Sequence, residues 1–213
     1  AIDTVSVRNI TGKPFYNFSF GGGTIPEMID AFWFADKHAN LKEVYFGIGF
    51  INFNKVQSMN RFIESSSMIN NPMLYLINKI VLKSAAYNVF IKLSGEEVDV
   101  ERPSLSRDIF WTATLGDPTT ALLRRFEYPD AFIIELKKVV KYCEDNDIKM
   151  TFIIPPIHVD LQNKFSEFGL LEQKNVFNSE LRNLGKVIDF AFVNGFTENR
   201  DNFSDPYHPN TKG

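Results

Sequence analysis

The sequence has one cysteine, Cys143, and three widely separated histidines, His38, His158 and His208. A single thiol excludes an internal disulfide and a cysteine-rich metal site, and the absence of a His-x-x-x-His or a cysteine pair gives no metal-ligand spacing. No apolar run continues beyond a few residues before Lys, Asp or Asn interrupts it, so no segment is expected to span a bilayer. Basic residues, 23 against 26 acidic, are scattered instead of gathered into a stripe, and the formal charge is -3. No nucleic-acid partner is expected from that balance. There is no internal repeat or low-complexity tract, and at 213 residues the chain is long enough for one buried core and short for two. A single domain over residues 1–213 is the expectation. The chain opens at Ala1 without a methionine and closes at Gly213 within a motif, so it is expected to be a piece of a longer protein.

What is present is an alternation of short apolar runs and helical patterns. Residues 15–20, FYNFSF, are apolar, aromatic and followed by Gly21, Gly22 and Gly23, which predicts a strand ending in a tight turn. Thr24, Pro26 and Glu27 have the spacing of a capping box, predicting a helix to about His38. Residues 43–49 and 150–154 read as further strands, apolar as parallel strands covered on both faces tend to be, and 187–193 reads as the last strand. Apolar positions at Phe132, Ile133, Leu136, Val139, Val140 and Cys143 lie on one helical face within 129–146, and 161–168 and 171–184 also read as helical. This order predicts an α/β fold, three-layered and flavodoxin-like, with a parallel sheet. Residues 54–126 are too long for a loop and contain a helical pattern over 72–93, so they are read as an inserted helical cap.

In such sheets reactive groups collect in the loops after the strands. The C-terminal stretch NFSDPYHPNTKG places Asp205 three residues before His208. A carboxylate at that distance can orient an imidazole whose other nitrogen accepts a proton from a nucleophile, or the two can belong to an ordinary solvated loop. His158, after Pro155 and Pro156, can touch substrate at a cleft rim, cap the next helix or face solvent. Trp111 can stack on a sugar ring or pack the cap. The triple glycine lacks the Lys-Ser/Thr of a phosphate loop and the spacing of a dinucleotide fingerprint, so no nucleotide cofactor is expected.

SDPYHPNTKG resembles the last block of the SGNH (GDSL-type) hydrolase superfamily, in which Asp-x-x-His supplies the acid and base of a Ser-His-Asp triad. YNFSFGGGTIPEM is similar to the second block, and EVYFGIGFINF to the third, where Gly-x-Asn-Asp normally stands. The resemblance implies that Asp205 and His208 are catalytic and that Gly22 and Asn52 serve the oxyanion hole, although this chain has Gly49, Phe50, Ile51 and Asn52 where the family motif has its two polar residues. The first block, which carries the nucleophilic serine, is absent. In the family it lies roughly fifteen to twenty residues before the second strand, a distance that fits a loop and a short helix. Counting back from Phe15 reaches Ala1, so the serine is expected upstream and the chain alone is expected to be inactive. Ser6 lies near that place but has no strand or glycine turn before it.

TFIIPPIH and the Gly-Gly-Thr-x-x-Glu after the second strand resemble the extracytoplasmic members that acetylate or deacetylate cell-envelope polysaccharides. By that resemblance the chain belongs to an esterase or O-acetyltransferase of the periplasm or cell surface, with an N-terminal membrane anchor on the parent protein. It implies an acylated carbohydrate or polysaccharide substrate, a membrane-bound acyltransferase partner and no cofactor. A non-catalytic SGNH-like module that binds glycan or a partner protein is the alternative, decided by whether a serine stands at the elbow.

Overall fold

The computed structural model describes residues 3–94 and 106–210. Its elements run α1 (Thr4–Thr11), α2 (Ile25–His38), β1 (Glu43–Gly47), α3 (Arg61–Asn70), α4 (Pro72–Ile77), α5 (Lys79–Ser94), α6 (Arg107–Leu115), α7 (Asp117–Arg124), α8 (Asp130–Asp145), β2 (Lys149–Ile154), α9 (Val159–Glu167), α10 (Leu171–Leu184), β3 (Lys186–Asp189), α11 (Gly195–Glu198), β4 (Phe203–Asp205) and β5 (His208–Pro209). The fold is mixed α/β. Strands β1, β2 and β3 form a parallel sheet in that order, and β4 and β5 form a separate antiparallel hairpin.

The helix after the triple glycine starts as its sequence dictates. Glu27 N–H donates to Thr24 Oγ1 at 3.4 Å and Thr24 N–H donates to Glu27 Oε2 at 2.9 Å, the two halves of a capping box. Helix α8 buries Phe132, Ile133, Leu136, Val139 and Cys143, the face read from their spacing.

Three local expectations are corrected. Residues 15–20 do not form a strand, because among the described residues no strand lies beside them to complete a ladder. The last strand stops at Asp189, where the carboxylate accepts from the Ala191 amide and turns the chain. The helical pattern over 72–93 is broken at Asn78, which caps α4 at its C-terminus and whose Oδ1 accepts from the Val81 amide to start α5. Strand β1 also departs from cover on both faces. Phe46 and Ile48 turn into the core while Tyr45 and Gly47 are exposed.

Aromatic packing fills the space beyond the C-terminal end of β1. Phe50 packs against Phe126, Phe165 and Phe177 with ring centres 4.9, 5.1 and 5.8 Å away, and Phe53 against Tyr128, Phe132 and Phe177 at 5.4, 5.9 and 5.1 Å. The excursion that follows leaves and returns at one place. Buried Asn54 donates to the Leu122 carbonyl and accepts from the amides of Val56 and Glu127, and Lys55 N–H donates to the Glu127 carbonyl at 2.9 Å. Residues 95–105 of the insertion lie outside the described residues.

Phe53 is fully buried, so Phe53→Ala is expected to lower stability by about 3–5 kcal/mol in urea unfolding. Tyr16→Ala, at a side chain 81% exposed, is expected to change it by less than about 0.5 kcal/mol.

Candidate functional site

Asp205 ends β4 and His208 opens β5, so a two-residue turn brings them face to face. His208 Nδ1 lies 2.8 Å from Asp205 Oδ2 and 3.0 Å from Oδ1. The same Oδ1 accepts the backbone amides of Tyr207 at 2.8 Å and His208 at 3.1 Å, which fixes the carboxylate against the turn. The Asp205 side chain is 13% exposed and that of His208 is 75% exposed. Burial pushes the Asp205 carboxyl up, but bonds from the His208 ring and the two amides outweigh it and hold the group below its ordinary value. The bond to Asp205 raises the His208 pKa against a smaller opposing effect of burial. With Nδ1 engaged, the tautomer that donates from Nδ1 leaves Nε2 as a free proton acceptor.

The hairpin is held from two sides. From the end of β2, His158 N–H donates to the Pro206 carbonyl at 3.0 Å. From the insertion, Arg107 Nη2 donates to the Phe203 carbonyl at 2.9 Å, and Thr119 Oγ1 and Tyr207 Oη share a hydrogen bond of 2.5 Å. Arg107 also donates to the Arg200 carbonyl and pairs with Asp201 at 3.1 Å, while Arg200 pairs with Asp108 at 2.8 Å. Helices α6 and α7 are therefore a buttress for the Asp205–His208 turn. Arg107, Thr119 and Tyr207 carry no local sequence pattern for this role, since their partners lie 88 to 96 residues away.

His158 and Trp111 meet, but inside the protein. Each is 4% exposed, and their rings lie edge to face with centres 4.7 Å apart. His158 is the N-cap of α9, its Nδ1 accepting from the Asp160 amide at 3.1 Å. Burial lowers its pKa against the opposing effects of Asp160 and the Glu198 backbone. Trp111 Nε1 donates to Asp160 Oδ2 at 2.9 Å, and the Arg200 guanidinium covers its face at 4.3 Å. Neither side chain offers an open face to a sugar in this arrangement. They pack α6 onto the end of β2.

The glycine turn is clamped. Gly22 has φ +65°, the left-handed region that suits glycine, and its carbonyl accepts from Arg61 Nη2 at 2.9 Å. Fully buried Glu27 receives Arg61 Nε at 2.8 Å, Arg61 Nη2 at 3.1 Å, the Arg61 amide at 2.7 Å and the Thr24 amide at 2.9 Å. Arg61 dominates the shift of its carboxyl, which is held at about 2 against the opposing effect of burial. The capping-box role of Glu27 is legible in sequence, whereas its partner 34 residues on is not.

Asn52 lies in the 3-10 turn Phe50–Asn52 with its Oδ1 beside Gly49, where an added Cβ would come within 3.2 Å. Among the described residues no hydrogen bond joins Gly22 or Asn52 to Asp205 or His208. Ser6 sits inside α1, exposed, donating to Asp3 Oδ2 at 2.5 Å. An apolar hollow of about 390 Å³ opens beyond the C-terminal ends of β2 and β3, lined by Pro156, Phe190, Phe192, Asn194 and Phe196. No cluster of three His, Cys, Asp or Glu side chains suited to a metal is found among the described residues.

Two pH dependences follow. Because the Glu27 carboxyl is depressed to about 2 from an ordinary 4.5, its contribution is full above 4.5 and is lost as pH falls toward 2. Glu27→Gln is expected to flatten the fall of the urea midpoint in that window. For the Asp205–His208 pair, Asp205 lies below 3.8 and His208 above 6.5. Their bond stabilises the fold between those values and is lost as pH falls through the Asp205 pKa or rises through that of His208. NMR titration is expected to place the His208 midpoint above 6.5 and to move it down in Asp205→Asn.

No family model matches the chain, and no curated protein or solved structure matches it.

Proposed function

We propose that the chain is the greater part of an SGNH-type, flavodoxin-like domain that carries out serine-dependent acyl transfer on an acylated carbohydrate or cell-envelope polysaccharide. The observation that carries this reading is the bond of 2.8 Å between His208 Nδ1 and Asp205 Oδ2, with the rest of the ring turned to solvent. A second feature supports it. Among the described residues β1 is paired on one edge only, by β2, and residues 15–20 run extended with no ladder. A parallel strand supplied from upstream fits the free edge, and the serine would stand at its C-terminal end, on the side where the hairpin lies.

The chemistry is then as follows. The serine Oγ attacks the ester carbonyl as His208 Nε2 takes its proton, and Asp205 holds the ring and stabilises the imidazolium. Amides at the Gly22 turn, with Asn52, receive the charge of the tetrahedral oxygen, and Arg61 keeps that turn in place. Collapse expels the sugar hydroxyl, which takes the proton from His208 and leaves an acyl-serine. Water or a second sugar hydroxyl accepts the acyl group, giving an esterase or an O-acetyltransferase. The resemblance supports a reaction outside the cytoplasm, with a membrane-bound acyltransferase as a partner. In the described chain the His208 ring bonds only to Asp205 and no serine reaches it, an observation that favours the second reading, a glycan- or protein-binding module without a nucleophile.

Fluorophosphonate labelling of the protein with its natural upstream sequence separates the two. Acyl transfer predicts one labelled serine preceding Ala1, labelling that strengthens as pH rises through the His208 pKa, and at least about a thousandfold loss of rate in His208→Ala. A folded protein with no labelled serine supports the binding module.

A further inference from the structure

The insertion begins as a helical arm that the body leaves uncovered. Helix α5 leans mainly on α4, α4 on α3, and α3 on α2. Along the arm Tyr75, Leu76, Ile77, Leu82, Phe90 and Leu93 are each more than half exposed. Contiguous apolar surface of this kind marks a protein or membrane contact.

Three features select the membrane. Helix α5 is apolar around its circumference: at about 100° per residue, Leu82, Val89 and Leu93 project on one side, and Tyr87 and Ile91 on the other. A helix that docks in a protein groove shows one apolar stripe, whereas lipid surrounds an inserted helix on most sides. Between Ser65 and Ser94 the only charged residues are Lys79, Lys83 and Lys92, all exposed. Lysine stems lie along apolar surface while their ammonium groups reach headgroup phosphates. Finally, the 16 residues of α5 span about 24 Å, short of the roughly 30 Å hydrocarbon core, and no described helix is long and apolar enough to cross a membrane.

We propose that α4 and α5 form a monotopic dock that enters one leaflet of an anionic bilayer, with Lys79, Lys83 and Lys92 at the phosphates. The dock is independent of the acyl-transfer chemistry and would serve either reading of the site by holding it at a membrane surface.

Vesicle flotation of the full chain tests it. Vesicles of phosphatidylcholine mixed with phosphatidylglycerol are expected to carry the protein upward, and Phe90→Asp with Leu93→Asp to weaken retention at least tenfold. Lys79→Gln and Lys83→Gln are each expected to weaken it about fivefold, with added salt acting in the same direction. All four positions are exposed, so circular dichroism is expected to show unchanged folding. A tryptophan introduced by Val89→Trp is expected to be quenched by brominated acyl chains. Absence of flotation at low salt, or flotation unchanged by Phe90→Asp and Leu93→Asp, overturns the proposal. So does self-association without lipid that the same double variant abolishes, which would make a second copy the occupant.

Discussion

Strand β2 is hydrogen-bonded on both edges, with Phe152 in register with Phe46 on one side and Val187 on the other, and its Phe152 and Ile154 lie in the core. Its backbone is satisfied by neighbours from distant parts of the chain, so its position is determined before any loop is considered. The segment after it inherits that position. Pro155 and Pro156 cannot continue a ladder, and His158 then caps α9 while its amide reaches the Pro206 carbonyl. One continuous path therefore runs from the centre of the sheet to the turn between Asp205 and His208.

The insertion completes the same framework instead of covering it as a separate lid. Trp111 and His158 bury each other, Arg107 reaches the hairpin backbone and Thr119 holds Tyr207. The base role proposed for His208 needs such restraint, because the side chain is mostly exposed and a free imidazole would rotate. The arm formed by α4 and α5 stands apart from this framework. The two halves of the insertion thus differ in physical character, one packed around the dyad and the other leaving its apolar side chains outside.

Local chemistry made part of this legible in sequence. The capping box of Thr24 and Glu27, the buried face of α8 and the Asp205–His208 spacing depend on residues a few positions apart, and each is present in the fold. Residues 15–20 show the limit of such reading: their aromatics have strand character, but a strand exists only with a partner, and among the described residues none pairs with them. Asn78 broke a continuous helical pattern through a side-chain bond that apolar periodicity does not register. Glu27 with Arg61, and Thr119 with Tyr207, are long-range pairs without a sequence signature. His158 was recognisable beside a strand end and Trp111 within the inserted cap, yet their burial against each other follows from tertiary packing that no spacing encodes.

The central claim is that the Asp205–His208 pair is the acid–base half of a site whose nucleophile arrives on a strand added to β1. A crystal structure of the protein with its natural upstream sequence tests it directly. The account predicts a parallel strand on the free edge of β1 and a serine Oγ about 3 Å from His208 Nε2. A β1 edge left unpaired, or an added strand with no hydroxyl facing His208, would contradict it.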